Sequence, residues 1–205
     1  MLADKNLKEF LKETASNSPV PGGGSVAALS AGLAAALTAM VANLTIGKKG
    51  YEELEEEMTV IAKEAEKYKD LFIEYIDKDS DAFNQVMDAF KLPKETEEEK
   101  EIRKNKIQEA LKNAALVPLE VARTALKIMD IIEKVVVKGN KNAVTDGAVA
   151  AMMARTATLS ALYNVKINLG SIKDAEFVEK TQKEVRQIEE DVVRLEKEIL
   201  GKVVL

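Results

Sequence analysis

The segment Asp77-Lys78-Asp79-Ser80-Asp81-Ala82-Phe83 sets three carboxylates at alternate positions. On a helix, Asp77 and Asp81 share one side, because residues four apart are neighbours. Asp79 points about 200° away from them. It falls three residues after Ile76, four before Phe83 and seven after Phe72, on the apolar stripe. A carboxyl on a buried face is desolvated and its pKa rises, which suits an acid/base catalyst. The competing reading is a solvated aspartate on a broad helix, since Asp is seldom fully buried. The spacing does not fit a calcium loop, because Ala82 and Asp88 stand where glycine and glutamate are required.

A second candidate is the loop Pro21-Gly22-Gly23-Gly24-Ser25. Three successive glycines lose much entropy on ordering, so a fold keeps them where backbone must be bare or φ positive. Ser25 is placed to cap a following helix, and free N–H groups there form an anion site. The same loop serves equally well as a tight turn between closely packed helices. It is not a phosphate loop of the Walker type, because no Gly-Lys-Ser/Thr follows.

A third group is Asn140, Lys141, Asn142, Thr145 and Asp146, where Asn142 or Thr145 reads as a helix cap. Asn43 and Asn164 lie in the distal parts of two alanine-rich segments. A buried amide there is either satisfied by neighbours or faces a ligand. Lys48, Lys49, Lys138 and Lys141 could receive an acidic tail, or simply be solvated.

The 205 residues contain no cysteine, histidine or tryptophan. That excludes disulfides, thiolate nucleophiles, zinc ribbons, Ser–His–Asp triads and imidazole bases. Proton transfer must run through Asp, Glu, Lys, Tyr, hydroxyl or backbone groups. The remaining metal option is an all-oxygen Mg²⁺ or Ca²⁺ site, and no metal-ligating residue is expected. With 30 basic and 35 acidic side chains the net charge is −5. This argues against nucleic-acid binding by phosphate neutralisation. The opening Met1-Leu2-Ala3-Asp4-Lys5 lacks a signal-peptide layout, and a cytoplasmic protein is expected.

These residues need helices to position them. No charge occurs between Glu13 and Lys48, a stretch long enough to raise the question of a membrane span. Its Ala, Ser, Thr and Gly content instead predicts a closely packed buried helix, and no membrane partner. Residues 143–162 have the same character, and the two are expected to pack as a central pair. Leu54, Met58, Ile61, Ala65, Tyr68 and Phe72 step at helical spacing. Val185, Ile188, Val192, Leu195 and Ile199 alternate three and four apart, as in a heptad seam. Pro93 breaks the chain after Leu92, and Pro118 starts or kinks a helix. With no sustained period-2 alternation, the fold class is all-α: one domain over 1–205, an up-and-down bundle of about six or seven helices. Two alanine-rich helices lie at its centre.

The run Pro19-Val20-Pro21-Gly22-Gly23-Gly24-Ser25-Val26-Ala27-Ala28 resembles the cyclodeaminase/cyclohydrolase family of folate enzymes. The resemblance continues through Asn43-Leu44-Thr45, Asp79-Ser80-Asp81-Ala82-Phe83, Leu92-Pro93-Lys94, Pro118-Leu119 and Asn140-Lys141-Asn142-Ala143-Val144-Thr145-Asp146. It implies a dimeric, all-helical enzyme of stand-alone form, with a tetrahydrofolate derivative as substrate and no permanently bound cofactor. The reaction implied is ring closure of 5-formiminotetrahydrofolate to 5,10-methenyltetrahydrofolate with loss of ammonia. The family's acid/base aspartate maps onto Asp79. Pro21, Gly22, Gly23, Gly24 and Ser25 are then expected to contact substrate, with Asn43, Asn140 and Asp146 helping to line the same pocket. Hydrolysis of 5,10-methenyl- to 10-formyltetrahydrofolate is the alternative within the family. A non-catalytic helical dimerisation module, using the heptad seam, is the alternative outside it.

Overall fold

A computed structural model describes all residues 1–205. Seven helices and no strands make up the chain: α1 (Leu7–Thr14), α2 (Gly23–Asn43), α3 (Glu55–Lys91), α4 (Glu97–Lys127), α5 (Met129–Lys138), α6 (Val144–Leu169) and α7 (Ala175–Leu200). Short 3₁₀ turns, Glu52–Leu54 and Lys141–Ala143, precede α3 and α6.

Local signals account for most of the boundaries. Asn6 and Asp174 cap α1 and α7 by accepting from the amides of Glu9 and Phe177. Thr96 and Glu99 form a reciprocal capping box at the start of α4. Leu92 is extended because Pro93 follows it, and α3 ends there. The cluster Val135-Val136-Val137 closes α5. Pro118 neither starts nor ends a helix; it lies buried inside α4.

α2 is the axial element. It runs antiparallel to α3, with Gly24 beside Asp79 and Gly32 beside Phe72. On its other flank it runs antiparallel to α6, where Ser30 donates to the Met153 carbonyl at 3.1 Å and Gly23 lies against Asn164. Ala31, Ala34 and Ala35 on α2, with Ala150, Ala151, Ala154 and Ala157 on α6, are wholly buried. Side chains this small let helix backbones approach closely. The expected central pair is therefore present. By length and composition α2 could cross a membrane, yet 67% of its apolar window is buried within the protein.

Two apolar clusters fill the bundle. One holds Val41, Met58, Phe72, Ile132, Val192 and Ile199; the other holds Phe10, Ile76, Leu119, Leu162, Val185 and Ile188. Tyr75 and Leu126 pack against both and join them. The heptad seam of α7 thus faces this chain's own core. It offers no support for a dimerisation module built on that helix. Arg123 of α4 forks onto Glu184 of α7 and holds the two helices in parallel register with the Lys112–Asp174 pair.

Candidate active site

The glycine loop delivers the chain into the N-terminus of α2. Pro21 is buried behind it, and the Val20–Pro21 peptide is cis. None of Gly22, Gly23 and Gly24 has positive φ. Their requirement is bare backbone. A methyl group on Gly24 would sit 1.9 Å from Asp79 Oδ1, so any side chain there would displace the carboxylate.

Ser25 does not cap the helix, contrary to expectation. The helix already begins at Gly23, with Gly22 as a cap lacking any side-chain acceptor. Ser25 is fully buried in the first turn. Its hydroxyl lies 3.0 Å from the Ile76 carbonyl and 3.1 Å from Asp79 Oδ2. The first backbone bond of α2 runs from the Val26 amide to the Gly22 carbonyl, which leaves the preceding amides without helical acceptors. Asp79, supplied by α3, takes the place a capping side chain would fill and also interacts with the Ser25 amide.

Asp79 is half-buried, so the sequence expectation of an inward-facing carboxyl holds. Burial pushes its pKa up from the ordinary aspartate value, while the Ser25 hydroxyl and amide pull it down; burial wins. Its neighbours differ. Asp81 is exposed, and Asp77 accepts from the Leu2 amide with its other oxygen buried and unpartnered.

A cavity of about 320 Å³ opens on this carboxylate. Gly22, Gly23 and Gly24 form one wall, Phe83 and Val86 of α3 another, and Asn164, Ile167 and Asn168 of α6 a third. No lysine or arginine lines it. Asn168 was not singled out in the sequence. Its signal is the four-residue spacing from Asn164, which puts both amides on one face of α6. A larger cleft of about 500 Å³ between α3 and α4 is lined by Gln85, Asp88, Lys106 and Glu109, without Asp79.

Asn43, Asn140 and Asp146 do not join this cavity within one chain. Asn43 is exposed at the opposite end of α2, 19 residues from Gly24, or ~28 Å along the axis. Asn140 is buried at that same far end: its amide donates to Thr45 Oγ1 at 2.8 Å and its Nδ2 to the Leu44 carbonyl at 3.0 Å. Asn140 also accepts from the Asn142 amide, so it caps the 3₁₀ turn, and neither Asn142 nor Thr145 caps α6. Asp146 sits in the first turn of α6, where the helix dipole favours a carboxylate. Lys138, at this end too, pairs with Glu57 at 2.8 Å. The single pocket expected from the sequence is therefore two clusters, one at each end of the antiparallel α2–α6 pair.

The raised pKa has a consequence for stability. A group whose pKa is higher when folded binds its proton more tightly in the native state, so stability falls as pH rises through the window above the ordinary aspartate value. Asp79→Asn is therefore expected to melt above wild type at neutral pH, with the gap narrowing as pH drops towards the ordinary aspartate range. Thermal unfolding followed by circular dichroism across pH checks this. A variant less stable at every pH contradicts it.

Comparison with known proteins converges on one family. Residues 6–187 match the formiminotransferase-cyclodeaminase family. A methenyltetrahydrofolate cyclohydrolase of Methylorubrum extorquens is 42% identical over 90% of this chain and 89% of that protein. The formimidoyltransferase-cyclodeaminase of Rattus norvegicus is 35% identical over 91% of this chain, which spans 35% of the rat protein. A crystal structure of formiminotetrahydrofolate cyclodeaminase from Thermotoga maritima superposes with a TM-score of 0.89, at 33% identity, covering 99% of this chain and 98% of that one. The chain belongs to the formiminotransferase-cyclodeaminase family.

Proposed function

We propose that this chain is a cytoplasmic folate one-carbon enzyme, a formiminotetrahydrofolate cyclodeaminase, with Asp79 as its proton carrier. The observation that carries the reading is a carboxyl of raised pKa held by Ser25 against the bare Gly24 backbone, at the wall of a cavity without cations. The near-full-length likeness to the Thermotoga maritima cyclodeaminase supports the reaction assignment.

The chemistry follows from those groups. The formimino carbon of 5-formiminotetrahydrofolate bears an N–H₂ group and carries positive charge as an amidinium. N10 attacks that carbon and forms the N10–C bond, and the proton on N10 passes to Asp79. Asp79 returns it to the former imino nitrogen, the C–N bond breaks, and ammonia leaves with the methenyl cation formed. Net charge is conserved at +1 on the folate core. The attack is intramolecular, so the protein contributes a near-attack geometry and a proton route. The raised pKa makes the ionised Asp79 a stronger base towards the N10 proton than an ordinary aspartate.

Ser25 serves both protonation states. When Asp79 is ionised, the Ser25 hydroxyl can donate to it across 3.1 Å. When Asp79 is protonated, the hydroxyl turns to the Ile76 carbonyl at 3.0 Å and accepts from the carboxyl instead. The shuttle therefore runs without leaving a buried group unpaired.

Hydrolysis of the methenyl compound is a second reading, favoured by the 42% identity to the Methylorubrum extorquens cyclohydrolase. Ammonia release from 5-formiminotetrahydrofolate and methenyl hydrolysis, measured side by side, separate the two. Ammonia stoichiometric with methenyl formation is expected, and Asp79→Asn should lower its kcat by about 10²- to 10⁴-fold. Methenyl hydrolysis alone selects the second reading. Turnover of neither substrate, or near-wild-type turnover by a folded Asp79→Asn protein, overturns the assignment.

The active form is inferred to be a homodimer. Val26, Leu33, Met40 and Leu44 make an exposed apolar stripe along α2, and Val149, Met152, Tyr163 and Ile167 make one along α6. α2 carries no charged residue, so a second copy can cover its stripe without burying an unpaired charge. A two-fold axis perpendicular to these helices would set Asn43 and Asp146 of one copy near the glycine loop of the other. Sedimentation should give twice the 22.5 kDa chain mass, and Leu33→Glu should shift it to the single chain mass. A wild-type protein sedimenting as a single chain contradicts the dimer.

A further inference from the structure

Two asparagines on the cavity wall are held in a way that proton transfer does not explain. Asn164 Nδ2 donates to the Ser160 carbonyl at 2.9 Å. Asn168 Nδ2 donates to the Ala114 carbonyl at 2.8 Å and to the Asn164 carbonyl at 2.9 Å. Every acceptor is a carbonyl oxygen, so the orientation of both carboxamides is fixed: their NH₂ groups are turned into the protein. Neither side-chain oxygen has a hydrogen bond within the chain, and neither is sealed from solvent. Both residues line the cavity.

Pro118 explains how Asn168 is held. A residue at that position of α4 would normally donate its amide to the carbonyl of Ala114, four residues earlier. Proline has no N–H, so the Ala114 carbonyl is left free. Asn168 reaches across from α6 and satisfies it. That bond uses the amide's donor side, which leaves the acceptor side for a ligand. Asn164 is fixed on its other flank by Gly23, whose missing side chain would lie 3.3 Å from Nδ2.

The cavity thus presents the two amide oxygens and the Asp79 carboxyl, and no cation. Its polar side chains are therefore suited to N–H donors. We propose that Asn164 and Asn168 are specificity-determining residues whose side-chain oxygens accept hydrogen bonds from the N–H groups of a reduced pterin ring. The assignment rests on the folate reading above and deepens it. A pterin offers a 2-amino group and ring N–H groups on one edge, whereas the formimino nitrogen belongs to the reacting carbon beside Asp79. Contacts to the ring act equally on substrate and product, so they set affinity and leave the chemical step alone.

The experiment measures Kd for tetrahydrofolate, which lacks the one-carbon unit, by calorimetry, together with KM and kcat for the turned-over substrate. Asn164→Leu removes one acceptor, and Asn164→Ser keeps a hydroxyl able to bond the Ser160 carbonyl if the leucine variant folds poorly. Asn168→Leu is made together with Pro118→Ala, so that alanine's amide satisfies the Ala114 carbonyl that Asn168 abandons. Each lost acceptor is expected to raise Kd and KM roughly tenfold, with kcat little changed. Wild-type affinity for tetrahydrofolate in the folded variants overturns the assignment while leaving the folate reading intact. A wild-type protein that neither binds tetrahydrofolate nor turns over either folate overturns both.

Discussion

The site depends on one close approach. Asp79 of α3 presses its carboxylate against the backbone of Gly24 at the first turn of α2, nearer than any side chain on Gly24 would allow. The contact does two things at once. It gives an otherwise uncapped helix N-terminus an acceptor, and it brings an acidic group out of water. The Ser25 hydroxyl and amide favour the ionised form, while burial disfavours it. The balance leaves a carboxyl able to take and return a proton, which a chain without histidine needs.

The rest of the bundle keeps that contact in place. α2 can lie against both α3 and α6 because its buried faces are almost entirely alanine, serine, threonine and glycine. A larger side chain in the α2–α3 interface would push Gly24 away from Asp79. On the opposite flank, α6 contributes the amide wall of the cavity, and Pro118 of α4 determines how one of those amides is turned. Four elements therefore converge on a space of about 320 Å³, within the range of small-molecule pockets.

The sequence revealed features that are locally anomalous. Three glycines before an uncharged segment, and an aspartate on an apolar stripe, stand out because helices otherwise avoid them. The all-α class and the alanine-rich pair were legible for the same reason. What sequence does not show is which ends of antiparallel helices meet. Asp146 opens α6 as Gly24 opens α2, yet the antiparallel packing sends it to the far end of the molecule, whereas Asn43 is kept from Gly24 by the length of α2 alone. Ser25, a serine after glycines, has the sequence signature of a cap, and only the position of Asp79 shows that the acceptor comes from another helix. Asn168 and Pro118 are 50 residues apart, and their relation exists only once α4 and α6 pack.

The most direct test of this account is the turnover of a Gly24→Ala protein. Its added methyl group collides with the flexible carboxyl of Asp79, so the side chain swings aside and the fold is kept. Displacing a reacting group by about 1 Å is enough to lower turnover ~10²-fold. The account predicts a loss of at least that size, with the wild-type circular dichroism spectrum. Full activity in Gly24→Ala would contradict it, because the proton carrier would then not depend on the bare backbone of α2.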